Sequence, residues 1–411
     1  KTTIINGDCL LEMAKMPENS IDSIVTDPPY GLEFMGKDWD HGVPGEHFWI
    51  EALRVAKPGA HMLAFGGCRT HHRLMVAIED AGWEIREMLM YVFGQGFPKS
   101  LNIGKQIDKM AGAERDVVGR NPNHRISKNG DVHSTLTMCG EPHTGNGFNT
   151  IPFTDAAKQW DGWGSALKPA YEPIVLCRKP VEGTIAGNVL KWGVGGLNID
   201  GCRIDLNGDK PIAGNRTATF GNQKTISGGD GSGGWNMNKQ GRFPANFCHD
   251  GSDEVMELFP NTGKSTGGQS GVKKSGLTYS SNWNEKDNVK GCGFGDSGSA
   301  ARFFYCSKAS KKERNAGCED LPENRPDTRT DTGMGTWTEK GVAKQSNDHP
   351  TVKPVKLMRY LARLITPPGG TILDPFAGSG STGVAAREEG FNSILIELDA
   401  HYCEIAKRRC C

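Results

Sequence analysis

Apolar and polar positions alternate along the first hundred residues in two periods, one of strands and one of helices. Thr3-Ile4-Ile5 predicts a short strand running into Gly7-Asp8, and Leu10, Leu11, Met13, Ala14 and Met16 follow at helical spacing. Ile21 to Thr26 is an apolar strand that ends abruptly at Asp27-Pro28-Pro29, because two prolines can continue neither a ladder nor a helix. Phe48 to Val55 predicts a helix stopped by Lys57-Pro58-Gly59, and His61 to Phe65 the next strand. Arg69 to Ala81 predicts a helix closed by Gly82, and Ile85 to Phe93 another strand. This alternation is that of a parallel sheet covered by helices.

The pattern breaks near Gly94. Residues 101–165 form a polar insertion with short possible helices such as Ile103 to Met110, and 166–180 hold a strand, Tyr171 to Cys177, returning to the sheet. Residues 181–300 carry 25 of the 55 glycines with almost no sustained periodicity, too long a stretch for an ordinary loop. It is read either as a separate loop-rich module or as partly disordered. Order returns with an amphipathic helix over Lys353 to Ile365, a strand at Thr371-Ile372-Leu373 and a helix from Gly383 to Glu389. A strand at Ser393 to Ile396 and a closing helix from Tyr402 to Arg409 complete the chain. The expected division is an α/β domain in two parts, 1–100 and 346–411, interrupted by 101–165, by the returning strand and by an irregular region over 181–345.

Composition constrains this picture without changing it. At 411 residues the chain exceeds the roughly 100–200 of one domain. Lys plus Arg and Asp plus Glu balance at 48 each, so any nucleic-acid surface must come from local clustering. The 12 cysteines include no Cys-x-x-Cys pair, and there is neither a signal peptide nor a long apolar span. Free thiols and a cytoplasmic setting are expected. The spacing of Cys248, His249, Cys292 and Cys306 lends no support to zinc, so no metal is expected.

Two motifs carry chemistry. Asp374-Pro375-Phe376-Ala377-Gly378-Ser379-Gly380-Ser381-Thr382 follows a strand and opens a helix. Its glycines let backbone approach a ligand, and the helix N-terminus offers unpaired N–H groups. Glu397 ends the next strand, where an acidic residue can bond ribose hydroxyls. The second motif, Asp27-Pro28-Pro29-Tyr30, lies at the carboxyl end of a strand, the edge at which open α/β sheets bind ligands. An exocyclic amino group is a poor nucleophile because its lone pair is delocalised into the ring. A carboxylate and a rigidly held backbone carbonyl, here Asp27 and Pro28, can each accept one of its N–H bonds and favour a pyramidal nitrogen. Tyr30 can stack on the base.

In these blocks the chain resembles the beta class of DNA amino-methyltransferases. Asn6-Gly7-Asp8, Thr26 to Tyr30, Arg54-Val55-Ala56-Lys57-Pro58-Gly59, His349-Pro350-Thr351-Val352-Lys353-Pro354, Asp374 to Thr382 and Ile396-Glu397-Leu398-Asp399 occur in that family's order. The resemblance implies a Rossmann-like methyltransferase sheet with a target-recognition region at 181–345. It implies S-adenosylmethionine as methyl donor, base flipping and direct displacement without a catalytic cysteine; Cys9 and Cys403 are then packing residues. It places Asp27, Pro28, Pro29 and Tyr30 at the target base. Asp374, Phe376, Gly378, Gly380, Ser381 and Thr382 would hold the cofactor, with Glu397 on its ribose and Asp8 near its adenine. Thr351, Lys353 and Pro354 would approach its methionine end, Lys353 pairing with the carboxylate. His349 is either part of this site or a turn residue.

For duplex DNA, Arg302, Lys308, Lys311, Lys312 and Arg314 lie beside Phe303, Phe304 and Tyr305. The run suits phosphate contacts and stacking, or equally a solvated helix face after a buried strand. Trp192, Trp235 and Trp283 either read bases or anchor a small core. Asp at the head of the tetrapeptide is commoner in the family's adenine enzymes, so N6-adenine is the expected target and cytosine N4 the alternative. RNA and protein-amide methylation are further alternatives, as is a DNA-binding module that has lost catalysis. The resemblance also implies a bacterial or phage-infected cell, with a homodimer and a cognate restriction enzyme as conceivable partners.

Overall fold

A computed structural model describes residues 1–32, 42–94, 96, 100–120, 148–206, 241–263, 297–307, 313, 316–318, 347, 349 and 351–410. Thirteen strands are assigned among them: β1 (Thr2–Asn6), β2 (Ile21–Thr26), β3 (Ala56–Phe65), β4 (Glu84–Val92), β5 (Val117–Arg120), β6 (Phe148–Thr150), β7 (Tyr171–Arg178), β8 (Phe247–His249), β9 (Asn261–Thr262), β10 (Gly298–Ser299), β11 (Tyr305–Cys306), β12 (Thr371–Asp374) and β13 (Asn392–Glu397). The helices are α1 (Cys9–Ala14), α2 (Glu46–Val55), α3 (His71–Asp80), α4 (Ile103–Met110), α5 (Asp155–Gln159), α6 (Ile185–Trp192), α7 (Asp253–Met256), α8 (Val355–Ile365), α9 (Ser381–Glu389) and α10 (Ala400–Cys410). None of these helices is long and apolar enough to cross a membrane.

Nine strands form one sheet in the order β1-β13-β12-β2-β3-β7-β4-β8-β11. All neighbours run parallel except β7, which is antiparallel to β3 and β4. The expected doubly wound, mostly parallel α/β sheet is therefore present. Period-2 alternation sends successive side chains to opposite faces. Ile24, Met62, Ala64, Val175 and Cys177 pack with Met13, Trp49 and Ile78 of the first three helices. Val25, Leu63, Phe65, Ile174 and Leu176 face the other way, toward Leu357, Tyr360 and Leu361 of α8. Covered on both sides, β2 is buried at all six positions, which is why it reads as an unbroken apolar run.

Two departures from the sequence pattern have clear causes. Lys57-Pro58-Gly59 does not separate α2 from the next strand; β3 begins at Ala56, and the pairing with β2 shifts register after Ile21↔Ala56 and resumes at Ser23↔His61. The intervening residues make a bulge. Gly59 has φ +80°, a Cβ there would lie 2.3 Å from Asn188 Nδ2, and that same amide donates to the Pro58 carbonyl at 2.8 Å. Nor is the span 181–345 wholly separate from the sheet: β8 and β11, within it, extend the sheet beyond β4. These strands are two or three residues long, too short for periodicity to reveal. Trp192 packs against the core, while Trp235 and Trp283 lie outside the described residues.

The topology sets where chemistry can occur. β2, β12 and β13 end at one edge, and antiparallel β7 begins there. Asp27, Asp374, Glu397 and Glu172 are thereby brought to the same edge by four strands.

Two stability measurements check this packing. Leu361 is fully buried, so Leu361→Ala should cost about 2–5 kcal/mol in denaturant unfolding, whereas Leu190→Ala, at an 89% exposed position, should stay within about 0.5 kcal/mol. His61 is held neutral by burial and by neighbouring Arg178 and Arg86, which push its pKa down from 6.5 to about 4. The unfolded chain therefore takes up a proton that the folded chain refuses. Stability from this group is intact above pH 6.5 and falls between 6.5 and about 4. His61→Leu should flatten the pH dependence of the melting temperature in that window, and an unchanged slope would count against this assignment.

Candidate active site

At the end of β2 the chain leaves the sheet as Asp27-Pro28-Pro29-Tyr30, and both Asp27 oxygens are engaged. Oδ1 accepts from the Tyr30 hydroxyl at 2.8 Å, and Oδ2 accepts from Lys353 Nζ at 2.7 Å. Thr70 Oγ1 donates to the Tyr30 carbonyl at 2.6 Å and fixes the turn. Lys353 is buried, and its ammonium also lies 3.6 Å from Glu172 Oε2. The rings of Tyr30 and Phe65 stand 5.4 and 5.1 Å from it. Burial alone would lower the lysine pKa, but Asp27 and Glu172 together hold it above the ordinary value. Burial and the adjacent Asp27 raise the Tyr30 phenol well above its usual range, so it stays a neutral donor.

Lys353, expected to pair with a ligand carboxylate, has its charge matched here by the tetrapeptide carboxylate and by Glu172 of β7. Glu172 went unnoticed in the sequence because one acidic residue near the start of an apolar strand looks like a solvent-facing position.

The loop after β12 is built around Asp374. Its buried carboxylate accepts from Thr26 Oγ1 at 2.7 Å, Thr382 Oγ1 at 2.5 Å and the Phe376 amide at 3.1 Å. Burial raises its pKa to about 6, against these bonds, which favour the charged form. Asp374 and Thr382 border the cavity, yet their polar atoms tie β2, β12 and α9 together. Gly378, with φ +51°, faces His349; a Cβ would lie 2.7 Å from that ring's Nε2. His349 accepts from the Thr351 amide at 3.3 Å and meets Tyr402 edge-on at 4.5 Å, so it belongs to the wall of the site. Phe376 leans on Phe48 and Trp49 at 5.8 and 6.2 Å.

Glu397 closes the far side. Oε2 accepts from the Gly378 amide at 2.7 Å and Oε1 from the Asp399 amide at 2.9 Å. Burial raises its pKa. Each oxygen keeps a second lone pair for a hydroxyl. Asp8 caps α1, accepting from the Leu10 and Leu11 amides at 2.9 and 3.1 Å, and borders the same space.

A cavity of 860 Å³ joins these parts. Asp27, Pro28, Pro29 and Tyr30 line one end, and Phe376, Gly378, Ser381 and Glu397 line another, with Thr351 and Lys353 between. Pro354 and Gly380 are not in its wall. Pro354 is the N-cap of α8, and Gly380, with φ +77°, starts α9 where a Cβ would lie 2.9 Å from that of Ala406. Their roles here are in shaping helix starts.

Arg409, on the last helix, is a further contributor that sequence reasoning missed, since a cation in a final helical turn suggests only a solvated end. It is buried, and one nitrogen donates to the Ser379 carbonyl at 2.7 Å, Ser379 Oγ at 2.8 Å and Ser381 Oγ at 3.1 Å. The loop that borders the cavity is thus clamped from behind.

The expected DNA-contacting run is corrected in part. Arg302 donates to the carbonyls of Gly298 and Ser299 at 2.7 and 2.8 Å and to Thr262 Oγ1 at 2.8 Å, bracing β9 against β10. Phe304 packs against Phe247 and Phe259, and Tyr305 stacks on Tyr360 at 3.9 Å, so these rings serve internal packing. Lys308, Lys311, Lys312 and Arg314 lie outside the described residues. Cys9 and Cys403 are buried in the core, and burial pushes the Cys9 thiol up to about 12, far from a thiolate nucleophile.

The family model described as DNA methylase matches residues 234–408. The chain is 36% identical over 113 residues to the type II methyltransferase M2.DpnII of Streptococcus pneumoniae, covering 27% of this chain and 42% of that one. It is 25% identical over 241 residues to the type II methyltransferase M.HindIII of Haemophilus influenzae, covering 47% and 64%. These matches span roughly half the length of the curated relatives. The solved complex titled M1.HpyAVI-SAM aligns over 100% of both chains with 13% identity and a TM-score of 0.36.

The clamp gives a direct test. Arg409→Gln should weaken S-adenosylmethionine binding by about tenfold in calorimetry, the scale of one charge-assisted bond. Unchanged affinity in a folded variant would remove Arg409 from the site.

Proposed function

From a chain that belongs to the amino-methyltransferase family, we infer a DNA methyltransferase that moves a methyl group from S-adenosylmethionine to the N6 amino group of adenine in duplex DNA. One observation carries this reading: a single cavity is lined by the Asp27–Tyr30 tetrapeptide and by the loop after Asp374. The cavity fits the donor's chemistry. It offers ring surface at Phe376, close backbone approach at Gly378 and acidic acceptors at Asp8 and Glu397, which suit an adenosine.

When bound, the donor would supply a methyl carbon on a sulfonium, which the target nitrogen attacks as the carbon–sulfur bond breaks and the thioether leaves. The protein's task is to hold that nitrogen. Asp27 accepts one N–H through a lone pair that Tyr30 and Lys353 leave available, and the Pro28 carbonyl accepts the other. Each bond draws the nitrogen away from planarity and aims its lone pair at the methyl carbon. Tyr30 stacks on the base. A paired adenine cannot reach the bottom of such a cavity, so the nucleotide must leave the duplex, at a cost of a few kcal/mol.

Asp27 at the head of the tetrapeptide favours adenine over cytosine, by the tendency of the family. Residues 181–345 serve target recognition in this reading, and Lys308, Lys311, Lys312 and Arg314 contact phosphate. A bacterial or phage-infected cytoplasm is the setting, with a homodimer and a cognate restriction enzyme as the partners to seek.

Nucleoside analysis of DNA from cells expressing the chain should show 6-methyladenine; 4-methylcytosine in its place would refute the choice of base. Asp27→Ala should lower methyl transfer by about 10²-fold or more, as loss of one transition-state contact does, and leave donor binding intact. Full activity in that variant would refute the role of Asp27.

A further inference from the structure

Direct displacement leaves a proton to dispose of. The amino nitrogen gives its lone pair to the methyl carbon, and the carbon–sulfur bond breaks with its electrons staying on sulfur. The methylated nitrogen then carries a positive charge until it loses one N–H proton. Asp27 is the base that the proposed pose supplies, yet an Asp27 left protonated is a neutral carboxyl and a weaker acceptor for the N–H of the next turnover.

Resting on the reading above, we propose that Glu172 is the final acceptor of this proton, received from Asp27 through Lys353. The geometry is that of a three-membered relay. Lys353 Nζ is hydrogen-bonded to Asp27 Oδ2 at 2.7 Å and forms an ion pair with Glu172 Oε2 at 3.6 Å, a contact that must shorten by several tenths of an ångström for the proton to pass. The ammonium passes one of its protons to Glu172 and takes the one on Asp27, so the lysine ends as it began. Asp27 is restored as a carboxylate and Glu172 is left neutral.

Charge balance supports the direction. Two carboxylates around one ammonium make a net charge of −1, and uptake of one proton cancels it at a site where the ammonium is buried and both carboxylates are half-buried. Burial raises the proton affinity of Glu172, with Asp27 adding to the rise and Lys353 opposing it. The other titratable groups that act on Glu172 or feel its charge are Tyr30, Cys68 and Tyr91, all neutral with raised pKa values, so none competes as an anion. Glu172 faces Tyr91 across the β4–β7 pair, at the strand end nearest the cavity. Acting through Lys353, it is a positioning residue and not one that touches substrate.

The test compares Glu172→Gln and Glu172→Asp with the intact chain in single-turnover methylation across pH. A raised Glu172 pKa means that the accepting carboxylate is lost as pH falls through a range above that of ordinary glutamate. The wild-type rate should therefore decline on that acid limb. Glu172→Gln should slow transfer about tenfold or more at neutral pH and abolish the limb, while Glu172→Asp restores both in part. Calorimetric affinity for S-adenosylmethionine should stay within about twofold in each variant, at 1.4 kcal/mol per tenfold change. Independently, ¹³C NMR titration of the ligand-free protein should show a second glutamate carboxyl, besides that of Glu397, protonating above the ordinary range, its signal missing from Glu172→Gln.

An unchanged rate or acid limb in Glu172→Gln would overturn the relay, as would a Glu172 signal titrating in the ordinary glutamate range or a donor affinity falling in step with the rate. If the wild-type chain transfers no methyl group to DNA, the functional reading fails and the relay with it. Wild-type activity with an indifferent Glu172→Gln refutes the relay alone.

Discussion

A buried ammonium holds this site together. Lys353 precedes α8, yet its charge is matched by Asp27, 326 positions earlier, and by Glu172 on the antiparallel strand. A charge in such a place is costly unless paired. The pairing therefore docks the segment before α8 against the ends of β2 and β7 at the cavity. The aromatic faces of Tyr30 and Phe65 complete its surroundings.

A second buried charge does the corresponding work on the cofactor side. Asp374 bonds Thr26, 348 positions away, and Thr382 at the start of α9. The two functional loops are thus not merely neighbours at a sheet edge. Each has a carboxylate hydrogen-bonded across to a distant segment, and Thr26 of one loop's strand is bonded to the first residue of the other. Arg409 adds a brace from the last helix. Such a frame limits how far the two ends of the cavity can drift, which matters for the proposed displacement because that requires near-linear approach.

Much of the fold was legible in the sequence. The strand Ile21–Thr26 was found to the residue, as was the helix Ile103–Met110, because sharp breakers or clear periodicity bound them. Other boundaries moved by one to a few residues, as helix and strand ends do. The Lys57-Pro58-Gly59 bulge was misread as a stop because proline and glycine mark both, and only Asn188 decides between them. β8 and β11 were missed because two or three residues carry no period. The two glycine-bearing and proline-bearing motifs were recognisable, since their backbone demands are local.

The residues that only the folded chain reveals share one trait: their meaning depends on a distant partner. Glu172 in an apolar strand, Arg409 in a final helical turn and Arg302 in a basic run all resemble solvated charges when read alone. Packing half-buries Glu172 beside Lys353, buries Arg409 behind the loop that borders the cavity and turns Arg302 inward as a brace. The sequence by itself determined the sheet's alternation, the two motifs and the family resemblance they carry, because those rest on short-range period and backbone geometry. Tertiary structure alone decided which charges meet, since Coulombic pairing and desolvation act between atoms that the chain brings together from hundreds of residues apart.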